Sequence, residues 1–99
     1  MTTTYDFGDG NGPVAAHRHS NGGGWVADTA KVDETSYVGL NAMVFGNAIV
    51  FGNARVSGNA EVSGNAEVSG NSEVSGNAEV SGNAEVSGNS RVSGNTFLV

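Results

Sequence analysis

Two histidines, His17 and His19, flank Arg18 and are the only histidines in the chain. Neutral imidazoles are good metal ligands, and alternate residues of a strand point the same way. One chain would therefore offer two nitrogens, and three chains around an axis would offer six, a donor set suited to iron or zinc. There is no cysteine and no third histidine to complete a site within one chain, so the plainer reading is a pair of exposed loop histidines.

A second constellation is Tyr5-Asp6-Phe7-Gly8-Asp9-Gly10-Asn11-Gly12. The stretch Asp9-Gly10-Asn11-Gly12 has the composition of a calcium loop, yet the first ligand position is Phe7 and the closing glutamate is missing. Asp6-Phe7-Gly8 stands without the partner motifs that phosphoryl transfer needs. A glycine-rich turn accounts for these residues. No catalytic residue and no cofactor-binding residue is assigned.

The element that must carry these groups is visible further along. Valine stands at 26, 32, 38, 44, 50, 56, 62, 68, 74, 80, 86 and 92, and Leu98 continues the series. Two residues before each lies a small residue, Gly24, Ala30, Ser36 and Ala42 among them, and from Gly46 onward Gly-Asn follows each aliphatic position. Six residues advance an α-helix by about 600°, which would scatter the valines around its surface. A strand puts Ala and Val on one face and Glu and Ser on the other. Gly-Asn then turns the chain, since both tolerate positive φ. Strands this short need identical neighbours above and below, which is the logic of a solenoid.

The unit Val56-Ser57-Gly58-Asn59-Ala60-Glu61 resembles the hexapeptide-repeat family of left-handed parallel β-helices. That resemblance implies an all-β fold of about four triangular coils, three hexads or 18 residues each. Residues 1–24 read as an irregular Gly-rich segment or cap, and residues 25–99 as the β-helix. The family is commonly trimeric, and its best-known activity is acyl transfer, with a histidine base on a coil and loops projecting from the corners. Residues 26–99 contain no histidine and no inserted loop. A His-x-His iron site is similar to those at some phage spike tips.

An 18-residue coil stacks Tyr37, Arg55, Glu73 and Arg91 in one outward column, where charges alternate, and Glu61 over Glu79 in another, where they repel. Early outward positions are instead large and apolar: Trp25, Tyr37, Met43, Phe45, Ile49 and Phe51. They read either as a subunit interface or as a surface over which Tyr5 and Phe7 fold back. Phe97, Leu98 and Val99 leave an apolar end that invites end-to-end stacking.

Composition narrows the partners. Ten acidic residues against four basic ones give a net charge of −6, which disfavours nucleic acid and anionic membrane surfaces. No window approaches the ~20 apolar residues of a membrane span. The opening residues lack the basic start and apolar core of a signal peptide, so the expected location is a bacterial cytoplasm or a phage particle. Together these features point to a non-enzymatic scaffold or interaction module working as a homo-oligomer, either a trimer or an end-to-end stack. The alternatives are a phage spike component with a metal at His17 and His19, and a degenerate acyltransferase.

Overall fold

A computed structural model describes residues 3–99. It contains β-strands and turns and no helix among the described residues. The strands are β1 (Thr4–Asp6), β2 (Pro13–Arg18), β3 (Trp25–Ala27), β4 (Lys31–Val32), β5 (Tyr37–Val38), β6 (Met43–Val44), β7 (Ile49–Val50), β8 (Arg55–Val56), β9 (Glu61–Val62), β10 (Glu67–Val68), β11 (Glu73–Val74), β12 (Glu79–Val80), β13 (Glu85–Val86), β14 (Arg91–Val92) and β15 (Phe97–Leu98). From β3 onward each strand pairs in parallel with the strand three places further on, in an 18-residue register: Trp25 with Met43, Met43 with Glu61, Glu61 with Glu79, Glu79 with Phe97. The result is a β-solenoid of about four coils with three sheets. Two have four strands, β4-β7-β10-β13 and β5-β8-β11-β14. The third has seven, because the hairpin β1-β2 adds to it antiparallel, in the order β1-β2-β3-β6-β9-β12-β15.

The valine series fills the interior. Val26, Val38, Val44, Val50, Val56, Val62, Val68, Val74 and Val80 are completely buried, interleaved with Ala48, Ala54, Ala60, Ala66 and Ala78. Small residues are required there because neighbouring strands in a sheet lie only about 4.8 Å apart and valines from three sheets converge on one axis. Ser36 and Ser72 take alanine positions without leaving an unmet hydroxyl: Ser36 donates to the Gly52 carbonyl at 3.0 Å, and Ser72 donates to the Ser69 carbonyl.

The corners dictate glycine twice over. Gly64 has φ +65°, a conformation that β-carbon sterics penalise. A β-carbon there would also lie 2.8 Å from the Gly82 nitrogen on the next coil. The following asparagines stack outside. Asn59 donates to Asn77 and Asn77 to Asn95, both at 3.3 Å, forming an amide ladder along one edge of the solenoid.

Candidate functional site

The two ends of the solenoid differ, and the irregular residues gather at the first. Hairpin β1-β2 lies on the outer edge of β3 and lowers its aromatic residues onto the surface of the first two coils. Phe7 is buried and stacks on Phe45 with ring centroids 4.9 Å apart. Tyr5 stacks on Trp25 at 4.6 Å, and the Arg18 guanidinium lies 4.6 Å from the centre of the same indole. Ala16, Ala27, Val14 and Met43 complete this second apolar cluster, outside the valine core. Of the six apolar residues singled out in the sequence, Trp25, Met43 and Phe45 are thus gathered under the hairpin. Tyr37 packs against the Arg55 guanidinium at 5.4 Å. Ile49 is half-buried and Phe51 is exposed, both away from the hairpin.

The histidines go to different tasks. His17 is exposed, and its Nδ1–H donates to the Asp28 carboxylate at 2.7 Å. His19 is buried, and its Nε2 lies 2.8 Å from the Ser36 carbonyl. A carbonyl oxygen only accepts, so the ring proton sits on that nitrogen. On the first coil such a carbonyl has no preceding coil to satisfy it, and His19 supplies the missing donor. The backbone beside it does the same: Asn21 accepts from the Val38 N–H and Gly24 donates to the Val38 carbonyl, each at 3.0 Å. Gly24 is held to glycine by this approach, since a β-carbon would lie 2.3 Å from the Gly39 oxygen. Among the described residues no three His, Cys, Asp or Glu side chains of one chain come together.

Beside the hairpin runs an open groove of about 590 Å³, lined by Tyr5, Arg18, Trp25, Leu40, Met43 and Asn59. Arg18 is already engaged there, donating to the Gly23 carbonyl at 3.0 Å and stacking on the indole. Leu40 occupies a corner where later coils carry glycine, and it is 64% exposed. Sequence reasoning missed this groove. Its one signal was Leu40 breaking the Gly-Asn corner pattern.

At the opposite end β13, β14 and β15 are the last strands of the three sheets among the described residues. Ser90 and Thr96, at positions that are buried alanines or serine in the middle coils, are exposed, as are Phe97 and Val99. Along the seven-stranded sheet, burial and the Glu79 carboxylate one coil below hold the Glu61 carboxyl above the usual carboxylate range. On the neighbouring sheet Arg91 lies 3.5 Å from Glu73 in the column of alternating charge.

No family model, no curated protein and no solved structure matches this chain.

Proposed function

We propose that this protein is a non-enzymatic scaffold: a stiff β-solenoid shaft of the hexapeptide-repeat, left-handed type that acts by self-association. The observation that carries this reading is the uniformity of the outer surface after Phe51. Each turn there is a Gly-Asn corner, and the outward positions from Arg55 to Arg91 hold only Arg, Glu and Ser. A site for acyl transfer needs a base and a loop to fold over the substrate. The irregular residues of the first coil are instead occupied in sealing one end.

Two measurements test the reading. Titration calorimetry with coenzyme A and acetyl-coenzyme A should give no binding heat; saturable binding would move the protein to the acyltransferase class. Deleting residues 56–73 joins Arg55 to Val74 in phase and should leave a folded chain shortened by about 4.8 Å, seen by small-angle scattering. Collapse of that variant would mean that individual coils carry something beyond length.

A further inference from the structure

We propose that the groove beside the hairpin binds the free C-terminus of a peptide whose last residue is aliphatic. Arg18 takes the terminal carboxylate, Asn41 and Asn59 take the adjoining backbone amide, and Leu40 and Met43 take the aliphatic side chain. This goes beyond the scaffold reading, because it gives the first coils a ligand of their own.

The charge of the groove selects the carboxylate. Arg18 is held in place twice, by its 3.0 Å hydrogen bond to the Gly23 carbonyl and by its position 4.6 Å from the centre of the Trp25 ring. A cation fixed in advance loses little side-chain freedom when it binds. Among the described residues no carboxylate pairs with it, whereas Arg91 lies beside Glu73. A guanidinium carries five N–H donors in a planar fork. With one engaged by Gly23, the rest are left for an acceptor with two oxygens, which is the form of a carboxylate. None of the residues lining the groove is acidic. Past Met43, however, the same outward column carries Glu61. That carboxylate places the ligand's single charge at the Arg18 end and disfavours a multiply charged phosphate ester. The indole already stacks with Tyr5 and Arg18, so it is not a free platform for a sugar ring or a base.

The other two chemistries lie at the corner between β5 and β6. Asn59 gives its Nδ2–H to Asn77, which leaves its Oδ1 as an acceptor at the head of the amide ladder. Asn41, 18 residues earlier in the same column, does not join that ladder among the described residues. The pair thus offers both donor and acceptor to a peptide group. Leu40 supplies the apolar wall with Met43. It is 64% exposed, and its equivalents at the other two corners of the first coil are Asp28 and Glu34. The corner itself therefore does not call for an apolar residue. A carboxylate, an N–H and an aliphatic group on adjacent atoms are what the last residue of a peptide presents.

Trp25 is the only tryptophan of the chain and stands in the wall of the groove, so its fluorescence reports occupancy. Titrating the whole chain with acetyl-Ala-Ala-Leu, its carboxylate free, should give a saturable change with a dissociation constant of ~0.1–1 mM. Backbone amides of residues 40–43 should shift in NMR spectra of the same mixture. The peptide with an amidated C-terminus should bind at least ~10-fold more weakly, as should one ending in aspartate. Arg18→Gln and Leu40→Glu should each weaken the free-acid peptide at least ~10-fold. Arg18→Gln also removes the contacts with Gly23 and Trp25, so circular dichroism must show it folded. If it is not, Leu40→Glu decides alone, since its side chain is exposed and Glu34 already occupies the equivalent corner. No saturable change up to ~10 mM peptide, a response that the amidated peptide reproduces, or full affinity in a folded variant overturns the proposal. An empty groove would leave the scaffold reading standing, whereas coenzyme A binding would remove that reading and leave the peptide result untouched.

Discussion

In the middle coils the corner carbonyls accept from backbone N–H groups of the neighbouring coil. Asn47 donates to the Gly64 carbonyl, Asn65 to that of Gly82, and Asn71 to that of Gly88. On the first coil the equivalent donors are side chains: Thr29 and Thr35 hydroxyls reach the Gly46 and Gly52 carbonyls, and Asp33 accepts from the Gly52 N–H at 3.3 Å. The middle coils are thus held by repetition, each one a template for the next. The first coil has a neighbour on one side only and is held by particular residues: Thr hydroxyls, the His19 ring and a layer of stacked aromatics. Repetition makes any single residue of the shaft replaceable so long as its class is kept. Particularity makes the first coil sensitive to individual atoms.

The sharpest break in that contrast is Phe7→Ala. It empties a buried ring position against Phe45 and should cost about 3–5 kcal/mol of cap stability. The expected outcome is early exchange of hairpin amides and altered Trp25 fluorescence, with the strands from β9 onward still protected. Loss of protection along the whole solenoid would show that the cap and the shaft fold as one unit.

Gly64→Ala and Gly88→Ala come next and separate two costs within the shaft. Both glycines have φ near +65°, so each change carries the left-handed penalty of roughly 1–2 kcal/mol. Only at Gly64 does the new β-carbon meet the coil below; at Gly88 nothing lies within 4 Å. Urea unfolding should therefore find Gly64→Ala worse by a further ~1–3 kcal/mol. Equal losses would mean that backbone conformation alone selects glycine.

His19→Ala should cost about 1–3 kcal/mol by stranding the Ser36 carbonyl, and His19→Gln, which restores an N–H, should recover part of it. An alanine variant as stable as wild type would show that water takes over the bond. The smallest effect concerns Glu61. Its folded carboxyl binds protons more readily than the unfolded one, so the folded state gains protons as pH falls. Stability should rise slightly on acidification from neutral pH toward the ordinary carboxylate range, and this increment should vanish in Glu61→Gln, as read by thermal unfolding. An unchanged slope would place the titration elsewhere along the Glu column.

The shaft was legible because its rule is stated many times over. Thirteen aliphatic residues at a period of six admit only one kind of element, and the 18-residue step by itself places Arg91 beneath Glu73. The amide ladder from Asn59 to Asn95 follows from the same step. The cap is made of contacts that occur once. Nothing in the residue types says that His19 would turn inward to Ser36 while His17 turns outward to Asp28. Nor does composition disclose that Gly22 and Gly24 are needed because the chain there crosses Val38 at close range, or that Gly23 between them takes a φ of +81°. Pro13–Arg18 buries Ala16 and exposes His17, but its burial does not alternate along the strand, and so short a segment does not announce a partner.

The hairpin has one more consequence, which is a matter of symmetry. Each coil is three hexads of nearly one sequence, so the shaft viewed down its length has an approximate three-fold character. A partner meeting its middle would find three nearly interchangeable orientations. Strands β1 and β2 extend one sheet only, giving seven strands where the others have four. That inequality keys the rod, much as a notch keys a connector. It fixes which side is which at the first coil, and the unbroken strand stack from β3 to β15 carries the same azimuth to the far end, where Phe97 marks it again.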